Sequence, residues 1–370
     1  MIRVAVSYRV LQAWRVPVFS RLSKLDGIEL CVFHGETFAG SKVKNYTGPL
    51  DFKTVQLPTF KAHFNTRNGP VHLPLNIGLW RALRQFDPDV IITEGASNAF
   101  NNVVCYLFAR RKGRKIVQWG LGKLKGRTLS LPRRIMDMLF FRYVERNSDA
   151  AIAYSSIGAE YYLGLGMPKE RVFVAVNTVD TEARQATARQ VAQNGFPSPV
   201  PELFNILFVG ALTRTKNIDM LVRCFAAFAQ DKPDARLTIV GDGEFMQELE
   251  SLAETLGISS KTEFSGHVYE GIAHYFLNAT VMVLPGLGGL AVSDALCHGV
   301  PVICGIGDGA EADLVDGSNG QILDPMNIGT LQQTLERLYA DRDLQASWRT
   351  AAPKVIEDTF NVHTYVAELS

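Results

Sequence analysis

Short β-branched runs alternate with helix-length segments along the whole chain, the pattern of parallel α/β layers. In the first half the strand candidates are RVAVSY from Arg3, IELCVF from Ile28, DVII from Asp89, KIVQW from Lys115, AAIAY from Ala150 and VFVAV from Val172. A second series begins at residue 205 and reads NILFVG, ARLTIVG, TEFSGHV, TVMVLPG, PVICG and GQIL. Between these strands, apolar positions 220, 221, 224, 225 and 228, and again 245, 249, 252, 253 and 256, give each helix one face to bury. Residues 181–203 lose this periodicity and gather three prolines, which predicts an interdomain linker there. The expectation is two Rossmann-like domains, 1–180 and 204–357, with parallel sheets facing a central cleft and a C-terminal helix at about 358–370 packing back on the first domain. In open α/β sheets ligands sit beyond the carboxyl ends of strands, so strand-end turns are where chemistry is sought.

Composition places the 370-residue chain among globular proteins, with 47% hydrophobic and 20% charged residues. Its five cysteines, at 31, 105, 224, 297 and 304, show no C-x-x-C spacing and lie in apolar runs, so buried reduced thiols are expected. The N-terminus carries Arg3 and Arg9 where a signal peptide needs an unbroken apolar segment, and no run approaches the ~20 apolar residues of a spanning helix. A cytoplasmic setting follows as an expectation. The formal charge of +1 hides a division: residues 1–180 hold 26 Lys+Arg against 13 Asp+Glu, leaving 12 against 24 for the rest. Such asymmetry points the first half toward an anionic surface or substrate. Within it, residues 110–134 hold ten basic residues and no acid.

The second half carries turns suited to an anionic ligand. After NILFVG, which ends at Gly210, comes ALTRTKN, with Arg214 and Lys216 beside a helix start. Cations next to free helical N–H groups form an anion site, although a solvated basic turn has the same composition. After LTIVG comes Asp242-Gly243-Glu244, equally readable as a helix cap or a ligand contact. Then VLPGLGGLAVSDALCHGVPVI places Pro285, Gly286, Gly288, Gly289 and Leu290 ahead of a helix through Asp294. Main-chain amides at such a turn can cradle a diphosphate, and Asp294 can face ribose hydroxyls. No G-x-G-x-x-G follows the first strand, which removes the main support for a nicotinamide or flavin enzyme.

Taken in order, NILFVGALTRTKN, ARLTIVGDGE, TEFSGHV, VLPGLGGLAVSDALCHGVPVI and DLVDGSNGQIL resemble the nucleotide-sugar half of a GT-B glycosyltransferase of family 4, a retaining group. The resemblance covers residues 150–355 well and residues 1–149 loosely. It implies that Lys216 binds the diphosphate, that His267 and Val268 lie beside the base, and that Asp294 holds the ribose in place of the family's second glutamate. The family's first glutamate falls on Gly286, as in the PG-x-x-GL form of this turn, and its arginine falls on Ala211, with Arg214 as the nearest substitute cation. It further implies leaving-group stabilisation by Lys216, Arg214 and the amides of Gly288 and Gly289, without a divalent metal or other cofactor.

By the same resemblance the first half holds the acceptor, with Arg9, Arg15, Trp119, Gly120 and Lys123 as contacts; Leu121 and Lys123 stand near the place of a family histidine, and Glu94, at another strand end, reads equally as an acceptor contact or a helix cap. The basic tract and the following IMDMLFFRY fit a surface resting on anionic lipid, which makes peripheral association with the inner face of the cell membrane an expectation. Nucleic acid is disfavoured, since no recognition motif or interleaved aromatic platform accompanies the tract. The reading is a transferase moving a sugar from a nucleoside diphosphate sugar to a lipid-linked saccharide or polysaccharide precursor. A nucleotide-sugar epimerase or hydrolase, and a non-catalytic binding protein, remain as alternatives.

Overall fold

The computed structural model describes all residues except 38–43, 67–68, 96–97, 123–139, 194–202 and 269–270, and for 61–73 it describes the backbone alone. The chain forms two units: Met1–Val176 with His363–Ser370, and Asn177–Val362. The first unit is built on a seven-stranded sheet of β1 (Ile2–Tyr8), β2 (Ile28–His34), β3 (Lys53–Gln56), β6 (Val90–Glu94), β7 (Lys115–Gly120), β8 (Ala150–Ala153) and β9 (Val172–Val174). Its order is β3-β2-β1-β6-β7-β8-β9 and every pairing is parallel. Parallel strands are covered on both faces, which is why runs such as VAVSY are buried without alternation. Ala5 lies in register with both Cys31 and Ile91, and these pack with Leu83, Phe108 and Ile116 into one core. Between β3 and β6 the chain makes an antiparallel hairpin of β4 (Thr59–Thr66) and β5 (Gly69–Asn76), which the apolar patterning did not foresee.

The second unit repeats the scheme with six parallel strands: β10 (Phe204–Val209), β11 (Ala235–Val240), β12 (Thr262–Gly266), β13 (Val281–Leu284), β14 (Val302–Cys304) and β15 (Gly320–Ile322), in the order β12-β11-β10-β13-β14-β15. In both sheets the order reverses beside the first strand, between β1 and β6 and between β10 and β13. The loops leaving those paired strands diverge there and open a crevice at the carboxyl edge. Residues 181–193 of the expected linker form a helix, Thr181–Gln193, that belongs to the second unit. Alanines there supply helix propensity where prolines, confined to the segment beyond, do not interfere. All five cysteines are buried and unbridged.

The terminal helix Val362–Leu369 lies with the first unit from His363 onward, where it completes a buried cage around Arg15. Arg15 is fully buried, donates from Nε to the Tyr8 hydroxyl at 3.1 Å and from Nη1 to the Tyr365 hydroxyl. Its guanidinium carbon lies 4.2 Å from the ring centre of Trp14, 4.3 Å from Trp119 and 5.0 Å from Tyr154. No carboxylate comes within ion-pair distance of it among the described residues. Burial holds the Tyr8 and Tyr154 phenols well above their ordinary pKa, so they remain neutral dipoles. Ring faces and hydroxyl oxygens therefore replace water around the charge, each desolvated cation–π contact contributing about 2 kcal/mol. Tyr365→Phe should lower stability by about 1.5–3 kcal/mol, the range for a hydrogen bond to a charged group. Urea unfolding measures it, and an unshifted midpoint would show that the hydroxyl is not what holds the guanidinium.

Candidate functional site

In the second unit the loops after β10, β11, β13 and β14 meet at the carboxyl edge with almost no space between their backbones. A Cβ on Gly243 would stand 2.1 Å from the Leu212 carbonyl oxygen, and one on Gly241 would stand 1.9 Å from that of Gly210. At Gly286 a Cβ would meet Thr215 O at 2.5 Å and Lys216 Cα at 2.9 Å. The absent glutamate is thereby explained, because the backbone of residues 215–216 occupies the space that any side chain at 286 would need. Across the same gap Lys216 Nζ donates to the Leu287 carbonyl, tying the loop after β10 to the glycine-rich turn after β13. Burial depresses the Lys216 pKa, opposed by the nearby Asp308 and Glu311. No carboxylate forms an ion pair with Lys216 among the described residues.

Glu311, at the start of a one-turn helix after β14, was not singled out from the sequence. It is fully buried and accepts the Gly288 amide at 3.2 Å, the Asp308 amide at 3.4 Å and the Gly309 amide at 2.9 Å. The Gly288 amide, expected to face the diphosphate, is thus already taken by a carboxylate, since an unmet buried N–H is costly. Beside it, burial and then repulsion from Glu311 push the Asp308 carboxyl well above the usual carboxylate range. The available signal was an acid three residues beyond Asp308 in GDGAE, a run that begins two residues after the strand-end Gly305.

The other expected donor residues are distributed unevenly. Arg214 does not reach the turn: both Glu248 carboxylate oxygens accept from its Nη2 at 2.6 Å and its guanidinium stacks on Phe245, leaving the side chain 69% exposed. A flexible cation at a loop surface pairs with the nearest helix acid, so Arg214 is no substitute for the cation missing at Ala211. Asp294 is mostly buried, and Arg184 Nε lies 2.8 Å from its Oδ1. Burial raises its carboxyl to about 6, and the Arg184 charge pulls the other way. Asp242 accepts the Gly243 amide at 2.7 Å as a local turn, while Glu244 is exposed. His267 is exposed at the end of β12, and Val268 lines a cavity of about 440 Å³ with Thr238 and Tyr275. Pro285 is buried, Gly289 adopts φ +63°, and Leu290 stands at the N-cap of the helix Ala291–Cys297. Gly210 closes onto β11 through its amide and Val240 O at 3.0 Å.

In the first unit the carboxyl edge brings Arg9, Glu94 and Gly120 together. Glu94 Oε2 accepts the Arg9 main-chain amide at 2.7 Å, and Gly120 and Gly95 are so close that a Cβ on Gly120 would lie 3.1 Å from Gly95 Cα. Arg15 and Trp119, expected as acceptor contacts, are instead core residues with 0% and 1% exposure. An arginine in an aromatic-rich sequence reads as a surface ligand, whereas here the aromatics solvate it from all sides. Lys123 lies outside the described residues, as do Lys125, Arg127, Arg133 and Arg134 of the basic tract. In the described part, Arg114 pairs with Asp87 and Asp89 and Lys115 with Asp149, leaving Arg111 and Lys112 exposed without such partners.

Two family descriptions match the chain: "Glycosyltransferase Family 4" over residues 21–183 and "Glycosyl transferases group 1" over residues 196–355. A GDP-mannose-dependent alpha-(1-6)-phosphatidylinositol monomannoside mannosyltransferase of Mycolicibacterium smegmatis is 27% identical over 176 residues, 45% of this chain and 46% of the relative. The match thus spans less than half of that relative's length. Anabaena HepE in complex with UDP has a TM-score of 0.73 at 16% identity, covering 100% of this chain and 98% of that one. A lipopolysaccharide outer core galactosyltransferase in its apo form gives 0.70 at 16%, with the same coverage. At these identities the likeness is one of fold, and the fold is GT-B.

Reinstating a carboxylate by Gly286→Glu should lower the melting temperature, since overpacking a closed gap costs about 1–3 kcal/mol. A thermal melt that matches the wild type would show that the loops part easily and that the steric account of Gly286 is wrong.

Proposed function

The chain belongs to the family 4 glycosyltransferases, and we propose that it moves a hexose-like sugar from a nucleoside diphosphate sugar to an acceptor hydroxyl, with retention at the anomeric carbon. The acceptor is a lipid-linked saccharide or polysaccharide precursor. The observation that carries the reading is Lys216, a partly buried ammonium at the reversal point of the second sheet, held by a carbonyl rather than balanced by a carboxylate. As the bond between the anomeric carbon and the phosphate oxygen breaks, negative charge grows on the diphosphate. A cation already fixed in place stabilises that charge without reorganising, the largest catalytic term in many enzymes. Main-chain amides around Gly289 add to it, the Gly288 amide being engaged by Glu311. Asp294 holds the ribose, and His267 and Val268 flank the base. No step requires a divalent cation, so a chelator leaves turnover intact.

Arg9, Glu94 and Gly120 form the acceptor side, at the corresponding reversal point of the first sheet. We place a lipid surface against the helix Ala99–Lys112 and the following Arg142–Arg146, where Leu107, Phe140 and Tyr143 are each more than half exposed beside Arg111 and Lys112. Apolar insertion and basic attraction together give reversible binding, with about 1 kcal/mol per cation near an anionic leaflet. No helix among the described residues is long and apolar enough to cross a membrane.

A thermal-shift screen with UDP-glucose and GDP-mannose tests the donor reading, since a ligand at a hundred times its Kd adds about 2.7 kcal/mol of stability. Lys216→Ala should then lower turnover by about a hundredfold or more, the scale for losing one charge-stabilising group. Unchanged turnover removes the lysine from the mechanism, and free sugar released without any acceptor favours a hydrolase. Co-sedimentation with phosphatidylglycerol vesicles should be strong at low salt and fall with added salt and with Leu107→Asp; retention in the supernatant at low salt would rule the surface out.

A further inference from the structure

We propose that Arg184 is a positioning residue of the donor site, holding the Asp294 carboxylate in the orientation in which it accepts from the ribose hydroxyls. The proposal rests on the reading that the second unit binds a nucleotide sugar, and it adds a residue from a segment that the sequence presents as linker.

Asp294 projects from a short helix whose neighbouring side chains, Val292, Ala295 and Leu296, are buried and apolar. Its carboxylate keeps 18% exposure, enough for a ligand to reach but too little for water to set its direction. Arg184 reaches it from the helix Thr181–Gln193, its Nε lying 2.8 Å from Asp294 Oδ1 as an ion pair without hydrogen-bond geometry, so Oδ1 keeps its hydrogen-bonding capacity for a ligand. The helix is itself fixed at its start, where Thr181 Oγ1 accepts the Val362 amide at 3.0 Å, and further along, where Gln185 donates to Glu357 at 3.2 Å. Arg184 is 41% exposed, and Asp294 is its single ion-pair partner among the described residues, which leaves its Nη donors without a carboxylate. Arg214, the cation expected to stand in for Ala211, is committed to Glu248 on the loop surface and cannot perform this task.

The remaining titratable groups around this pair are Cys297 and His298 at the end of the Asp294 helix, Asp180 ahead of the Arg184 helix, and Glu357. Burial keeps the Cys297 thiol above its ordinary range and the His298 imidazole below it, so both stay neutral near pH 7. Arg184 is therefore the charge that opposes burial at Asp294, whose carboxyl is pushed up to about 6. An ionised carboxylate accepts from ribose hydroxyls more strongly than a neutral one, so donor binding should weaken as pH falls through that value. Removing Arg184 moves the midpoint upward, because the one influence lowering it is gone.

The test is calorimetric titration of UDP-glucose and GDP-mannose into the full chain between pH 5.5 and 8.5, with Arg184→Gln, Asp294→Asn and the double variant. Arg184→Gln should raise the Kd of whichever donor binds by about tenfold or more at pH 7, the loss of one charge-assisted contact, and recover toward pH 8.5. Asp294→Asn should weaken binding at every pH, and adding Arg184→Gln to it should change nothing further. Equal affinity in Arg184→Gln, or a pH-independent loss that adds to that of Asp294→Asn, overturns the proposal. Should Arg184→Gln fail to fold, Arg184→Lys decides: it keeps a cation beside Asp294 but loses the Nε contact, so it should weaken donor binding in the wild-type background and change nothing when added to Asp294→Asn, and wild-type affinity in Arg184→Lys sinks the idea. If neither donor binds the wild type, the nucleotide-sugar reading fails and takes this inference with it, whereas donor binding with no Arg184 effect overturns the inference alone.

Discussion

The site in the second unit depends on backbones that touch. Four strand-end loops converge where the sheet order reverses, and at Gly241, Gly243 and Gly286 nothing larger than a hydrogen atom fits between one main chain and the next. Glycine carries an entropic cost in the unfolded chain, and here it is what allows closure. Once the loops are shut, the number of side chains that can enter is small, and each occupies a defined place. Lys216 crosses from the first loop to the Leu287 carbonyl of the third. Glu311 comes up from the fourth and gathers three amides. The absence of a carboxylate at 286 is a steric consequence of this closure.

The electrostatics follow from the same geometry. A buried ammonium and two buried carboxylic groups share one small region, yet none of them forms a direct ion pair with Lys216 among the described residues. Glu311 is satisfied by amides, Asp308 is driven toward its neutral form, and Lys216 rests on a carbonyl. Such an arrangement leaves one positive charge available to an incoming anion. The first unit handles a buried cation in the opposite way: Arg15 is enclosed by rings and phenols until no solvent or ligand can reach it. One cation stays partly exposed on a carbonyl and the other is sealed into the fold, and sequence composition does not distinguish them.

Much of the architecture was legible because parallel strands write themselves as unbroken apolar runs, and both sheets were found at the expected segments except for the short, half-exposed edge strand Lys53–Gln56. The placement of Lys216 in the turn after β10, beside a helix start, was legible because it follows a strand-end glycine. What was not legible depended on distance in space. Arg184 and Asp294 are 110 positions apart and meet only because the helix Thr181–Gln193 packs on the helix Ala291–Cys297. Glu311 looks like an ordinary first-turn acid until the amides above it are counted. Arg15 and Trp119 carry the residue types of a binding surface, and only burial shows otherwise. The β4–β5 hairpin escaped because its sequence, TFKAHFNTRNGPVHLPLN, alternates too weakly and places prolines within the second strand.

The cage around Arg15 has a bearing on how the chain comes off the ribosome. The first unit draws its final wall from Tyr365, so the whole of the second unit must be synthesised before that wall exists. Until then the rings of Trp119 and Tyr154 and an unsatisfied guanidinium share an unfinished pocket. The second unit, whose residues all come from one continuous stretch, can close first although it is made later. The cage around Arg15 therefore stays open for as long as the second unit is being made.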